Sequence, residues 1–299
     1  MDASNPSGSV SILHVPGPQC DGQRDRSGAA AGVIAHAEAL RTAGAPAPDL
    51  VVVSGNLTKS ANPSGMEEAL RFLTELRDDL APSPERLVVI PGRGDVSRQK
   101  CRAHFALCED EEVQPHEPYF PKLERFAQIF ADLYGDVDGA GFDEHEPWTM
   151  FGFDELNLVI AGFNSTWSMT HRPEDDGGSL GTRQMAAFAR QLGEASESGR
   201  LCLGAMNHAP VTARTRLRLH YTMLQDTRRF EQQVGSRLHL LLHGAGADGR
   251  DSDESLYTLD EGLLASAALD ETPELVTVTD TEVRVWTRPG TAAQRRTHD

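Results

Sequence analysis

Aromatic side chains make up only 6% of the 299 residues, and the four cysteines, Cys20, Cys101, Cys108 and Cys202, are scattered without CxxC spacing. Neither a zinc ribbon nor a disulfide framework is signalled, so the thiols are expected to be buried or free. No apolar run approaches the ~20 residues that a bilayer-spanning helix needs. The opening MDASNPSGSV carries neither the basic nor the apolar segment of an export signal, and the expectation is a cytoplasmic protein. Positive charge is also scarce: 28 Lys plus Arg stand against 45 Asp plus Glu, a formal net charge of −17. Such a field repels nucleic acid and anionic membrane surfaces, so neither is an expected partner, and any phosphate chemistry would need a local cation.

What is present is 39% hydrophobic and 24% charged material, enough for the core of one large or two small domains. An apolar run at Val10 to Val15 is followed by a Pro/Gly-rich break and by Val33, Ile34, Ala37 and Leu40 at helical spacing. Leu50 to Ser54 reads as a second strand. Ser64 and Glu67 suggest a capping box for a helix carrying Met66, Leu70, Leu73, Leu76 and Leu80. Leu87 to Ile90 is a third strand. An acidic stretch from Glu109 to Glu112 and a helix with Leu123, Phe126, Ile129, Phe130 and Leu133 then look like an excursion that forms a cap or side lobe.

Further strands are expected at Trp148 to Phe153 and Leu156 to Phe163, joined as a hairpin through Asp154 and Glu155, and at Leu201 to Met206 and Leu238 to Leu242, with a helix around Arg183 to Leu192. Short strand-like pieces close the chain: Leu256 to Leu259, Leu263 to Ser266, Leu275 to Val278 and Val283 to Thr287. The pattern is α/β with a β-rich end. Residues 1–9 and 289–299 are expected to be flexible tails around a body at 10–288, with an insertion at about 100–147.

In open α/β sheets ligands sit beyond the carboxyl ends of the strands. The loops there read HVPGPQCDG (His14 to Gly22), SGNLT (Ser54 to Thr58), PGRGD (Pro91 to Asp95), MNHAP (Met206 to Pro210) and HGAGAD (His243 to Asp248). Their order, spacing and strand context resemble the five signature blocks of the calcineurin-like metallophosphoesterases: DxH, GDxxx, GNHD, an HH or HHP block, and GHxH. AGFNSTW (Ala161 to Trp167) and PGRGDVSR fit further segments of that family. The resemblance implies a four-layer α/β/β/α sandwich with two mixed β-sheets flanked by helices. It also implies an ancestral site in which two divalent metals such as manganese, iron or zinc, bridged by an aspartate, hold a phosphate ester and generate a hydroxide nucleophile.

Carried over residue by residue, the family's ligands are missing. Gly17 and Gln19 occupy the first aspartate and histidine positions, and Asn56 that of the bridging aspartate. Arg93 and Gly94 replace the asparagine ligand and the histidine that acts on the leaving group, leaving the supporting Asp95. Asn207 takes the next histidine position, with His208 retained beside it, and Ala245 and Ala247 stand where the last two histidines belong. Two divalent ions need several anionic or hard ligands to offset dehydration, and Arg93 adds a fixed positive charge. No metal ligand and no cofactor are therefore expected.

Other constellations remain open at this level. His14, Asp21, Asp95, His208, His243 and Asp248 would assemble a shifted metal site, or else brace the loops by hydrogen bonding to backbone. Arg93, with Arg98 or Arg250, would hold a phosphate or other anion without metal, or else pair with Asp95. Ser165 near His208 or His171 lacks the GxSxG elbow of an activated nucleophile, and GAGADG (Gly244 to Gly249) lacks the Lys-Ser/Thr end of a P-loop. The acidic runs at Glu109 to Glu112 and Asp143 to Glu146 read as solvated faces, and Trp148, Trp167 and Trp286 as core. The leading expectation is a catalytically degenerate metallophosphoesterase-like domain with a protein partner or larger assembly, with binding or regulation in place of hydrolysis. The alternatives are an active metal-dependent phosphodiesterase, phosphatase or nuclease with an altered site, and an anion or nucleotide sensor at Arg93. Ligand-binding candidates are Arg93, Asp95 and His208.

Overall fold

A computed structural model describes residues 8–23, 28–135, 137, 139–210, 223–244, 256–259, 262–268, 272–288 and 290–296. The first seven residues of the expected N-terminal tail lie outside the described residues, as do Ala245, Ala247, Asp248, Arg250 and the last three positions.

The chain opens with β1 (Val10–Val15), α1 (Ala29–Thr42), β2 (Leu50–Val53), α2 (Pro63–Leu80) and β3 (Leu87–Val89). Every residue of these three strands is buried, as parallel strands covered on both faces require. After β3 come α3 (Arg98–Asp110) and α4 (Glu124–Tyr134), then the hairpin β4 (Thr149–Phe153) and β5 (Leu158–Gly162). The second half runs α5 (Gly181–Glu197), β6 (Leu201–Met206), β7 (Ala209–Pro210), β8 (Met223–Leu224), α6 (Thr227–Gln233) and β9 (Leu240–Gly244). It closes with β10 (Leu256–Thr258), β11 (Leu264–Ala268), β12 (Glu274–Val278), β13 (Glu282–Arg288) and β14 (Thr291–Arg296).

Two mixed six-stranded sheets result, ordered β14-β13-β12-β1-β2-β3 and β10-β11-β9-β6-β5-β4, while β7 and β8 form a small ribbon. The main core lies between the sheets and reaches out under α1 and α2. A second core fills the far side, where Met185, Phe188 and Leu192 of α5 and Phe230 of α6 pack on β5 and β6. The layers are helix, sheet, sheet and helix, the sandwich expected.

Three local readings need correction. The cap of α2 is Asn62, whose side chain accepts from Gly65 N at 2.8 Å, with Pro63 at the first helical position; Ser64 donates to Asn62 Oδ1 instead of capping. The segment at 100–147 is not a detached lobe. Phe126, Ile129, Phe130, Leu133 and Tyr134 recur on one face of α4 and are buried in the main core, and Tyr134 Oη donates to Leu87 O at 2.6 Å. Nor are residues 291–296 loose: they pair antiparallel with β13 and widen the first sheet by a strand. That strand has no apolar period because its described side chains are exposed or half-exposed; the backbone ladder holds it, with Arg284 donating to Gln294 Oε1 and Arg295 to Thr258 Oγ1 at 3.1 and 3.4 Å.

The segment before α4 is tied to the rest by a buried cation. Lys122 is fully buried, and its Nζ donates to the carbonyls of Thr166, Trp167 and Met169 at 2.7, 2.9 and 2.6 Å. Burial pulls its pKa down to about 7, opposed by Cys101 and Glu117. All four cysteines are buried, and none forms a disulfide. No described helix is long and apolar enough to cross a membrane.

Candidate functional site

The loops following β1, β2, β3 and β6 converge at one end of the sandwich, and their floor is made of backbone held against backbone. Gln19 N donates to Asn56 O at 3.0 Å and Cys20 N to Leu57 O at 2.9 Å, so the first loop lies along the second. Gln19 and Asn56 both take left-handed conformations, with φ of 51° and 55°. The Asn56 side chain accepts from Gly94 N at 2.9 Å and so fixes the third loop on the second.

Two glycines make that approach possible. A Cβ at Gly17 would lie 1.8 Å from Gly55 O and 2.4 Å from Asn56 O, and one at Gly94 would lie 1.8 Å from Thr58 O. Those are bonding distances, so neither position admits a side chain unless the loops separate. These are the positions that the sequence resemblance sets against the aspartate of the first block and the histidine of the third.

Asn207, buried at the end of β6, closes the floor. Its Nδ2 donates to Ser54 O at 2.7 Å and its Oδ1 accepts from Arg93 N at 3.1 Å, joining residues from three strand ends with one amide. Asp95 is likewise turned inward. Its carboxylate accepts from Leu57 N at 3.2 Å, Thr58 N at 2.8 Å and Gly92 N at 2.8 Å. Complete burial nonetheless raises its pKa to about 6 against those hydrogen bonds.

The expected Arg93–Asp95 pair is therefore absent, because backbone amides occupy the Asp95 carboxylate. Arg93 Nη1 instead lies 3.9 Å from Asp176 Oδ2, and Arg98 Nη2 donates to both oxygens of the same carboxylate at 2.5 and 2.6 Å. Two half-exposed guanidiniums share one nearly buried acid. Sequence reasoning did not find Asp176; it belongs to an acidic loop, PEDD, in which no spacing marks one carboxylate over the next.

His208 and His243 are satisfied neutral groups, whereas Nδ1 of the buried His14 has no hydrogen-bond partner. His208 Nε2 faces the Asp176 carbonyl at 3.2 Å, which can only accept, so that nitrogen carries the proton and Nδ1 accepts from Ser165 Oγ at 2.8 Å. Ser165 and His208 do meet, but both are buried and Ser165 also accepts from His208 N at 3.2 Å, so the pair is a brace. His171 lies elsewhere, packed edge-on against Phe105. His243 Nδ1 donates to Gly244 O at 2.9 Å, while Nε2 accepts from Tyr257 Oη at 2.6 Å. His14 Nε2 is 3.0 Å from Ser54 Oγ. Desolvation by burial lowers the pKa of His14 to about 3 and those of His208 and His243 to about 4, with the neighbouring His243 adding to the effect at His14. Asp21, at the surface, pairs with Lys59 at 3.0 Å.

Among the described residues no three His, Cys, Asp or Glu side chains converge in a way that could hold a metal ion. The fit to a binuclear centre fails on chemistry and on space: the loop positions described supply amides and glycines, Arg93 supplies a cation, and the loops at Gly17 and Gly94 close over the volume a donor side chain would need.

No protein-family profile matches the chain, and no curated protein matches its sequence. Among solved structures, a dimetal phosphatase from Danio rerio superposes with a TM-score of 0.56 at 12% identity, over 95% of this chain and 98% of that one. A conserved uncharacterised protein, a predicted phosphoesterase, from Streptococcus pneumoniae covers 96% and 98% at 11% identity with a TM-score of 0.32. An NAD nucleotidase from Haemophilus influenzae covers 96% of this chain and 49% of its own at 9% identity, with a TM-score of 0.41. The first shows that the chain shares the fold of that dimetal phosphatase; the other two scores carry no argument.

Proposed function

We propose that this chain is a catalytically degenerate metallophosphoesterase-like domain whose role is binding, regulation or assembly with a protein partner, in the cytoplasm and without a metal cofactor. The observation that supports this reading most directly is the floor of the strand-end cleft, where the Asn207 amide and the close backbone contacts at Gly17 and Gly94 fill the ancestral ligand positions. A point-inactivated enzyme would keep the space for its ions and lack a donor or two; here the space itself is taken.

The test is direct. Purified protein incubated with manganese is assayed for bound metal and for turnover of an aryl phosphodiester. Neither is expected above background. Stoichiometric metal together with turnover that is lost in Asp95→Ala or His208→Ala would establish the alternative, an active phosphodiesterase, phosphatase or nuclease with an altered site.

A second reading is favoured by one feature. Arg93 keeps a 40% exposed side chain and only a 3.9 Å share of Asp176, so an anion or nucleotide phosphate has a cation to address. Calorimetric titration with inorganic phosphate and simple nucleotides checks it: heat that disappears in Arg93→Gln supports an anion site, and no heat for the wild type removes it.

A further inference from the structure

The C-terminal end of α3 combines choices that each work against the stability of an isolated helix. The helix stops at Asp110 with Glu111 as its cap, and the next residue, Glu112, takes a left-handed conformation with φ of 55°. Val113 N donates to Cys108 O at 2.9 Å and Glu112 N to Glu109 O at 3.2 Å, the paired bonds of a Schellman termination, in which the left-handed residue is usually glycine. In that motif the residue after the left-handed one frequently packs on the last helical turn, which makes Leu107 the apolar neighbour that Val113 would meet.

These two are the exposed large hydrophobic residues among those described, at 49% and 54%. Ala103 and Ala106, also exposed, extend the apolar strip back along the helix. Around it run Glu109, Asp110, Glu111 and Glu112, all exposed and, among the described residues, without an ion pair. They crowd the negative end of the helix dipole, where the last turn holds no basic residue. A cap meant only to end a helix would use glycine, a lysine or arginine in the last turn, and a covered apolar pair.

We infer that this end of α3 is a docking surface for a cationic segment of a partner protein, with apolar side chains that seat on Leu107 and Val113 and flanking Lys or Arg side chains that meet the four carboxylates. Charge decides the occupant. Both the local run and the chain's net charge of −17 disfavour a second copy and favour a basic ligand. The inference rests on the proposed non-catalytic role and gives its partner a chemistry.

The experiment uses the full chain and a fluorescent synthetic peptide of alternating leucine and lysine, followed by anisotropy. Leu107→Ser with Val113→Ser is expected to weaken binding about tenfold. Glu109→Gln with Glu111→Gln is expected to weaken it and to flatten its salt dependence. A peptide of equal charge with serine in place of leucine is expected to bind about tenfold more weakly than its parent. The affected side chains are exposed, so circular dichroism of the variants should match the wild type. Unchanged affinity in the Leu107/Val113 variant, or equal affinity for the leucine-free peptide, overturns the inference. So does a dimer by light scattering that Leu107→Ser dissolves, because the strip is then covered by a second copy. Manganese-dependent turnover on the same preparations tests the non-catalytic reading separately, so failed peptide binding without turnover counts against the docking surface alone.

Discussion

The side chain of Asn207 holds three strand ends together. Asn207→Ala leaves the Ser54 carbonyl and the Arg93 amide without their partner. It is expected to cost about 1–3 kcal/mol, seen as a lower urea midpoint. Gly17→Asp drives a Cβ to within 1.8 Å of Gly55 O. The expected outcome is a loss of about 1–3 kcal/mol from overpacking, with no gain in manganese content by elemental analysis. The loops at the strand ends were legible, since each follows directly on an apolar run. The contacts that join those loops were not, because the partners of Asn56, Asp95 and Asn207 are mostly backbone groups far away in sequence, and backbone groups leave no residue signature.

Elements were legible where one periodicity dominated. The strands β1, β2 and β3, the helical face of α4 and the hairpin β4–β5 follow from apolar spacing. The failures lie at ends and edges, where hydrophobicity says little. Asn62 caps α2 because Pro63 fixes the backbone of the first helical residue. Asn62→Ala is expected to lower the thermal midpoint by an amount equivalent to about 1 kcal/mol. The end of α3 responds in the opposite sense. Glu112→Gly relieves a left-handed conformation that costs an ordinary residue about 1–2 kcal/mol, offset in part by glycine's greater unfolded-state entropy. A net gain of about 0.5–1 kcal/mol in chemical denaturation is expected.

For the molecule as a whole, the buried histidines set the response to acid. His14, His208 and His243 take up protons only near pH 3 to 4 when folded, against a model value of 6.5 that approximates the unfolded chain. Below that value the unfolded state binds more protons, so stability falls on acidification by up to about 1.4 kcal/mol per histidine for each pH unit. Asp95 works the other way between its ordinary 3.8 and about 6, because its folded form protonates first. Three groups against one leave a net loss, and the urea midpoint should drop between neutrality and about pH 5, less steeply in His208→Gln. The layered architecture behind this behaviour was legible from five loops in the right order, and the strand at 291–296 was not, because its pairing depends on a neighbour and not on its own side chains. The buried Lys122 has one more use. The sequence contains three lysines, Lys59, Lys100 and Lys122. An amine-selective reagent should tag the first two within seconds to minutes and reach the third only when the stretch at 166–169 comes away from it. The slow appearance of label on the peptide that carries Lys122 would then clock how often this part of the protein breathes.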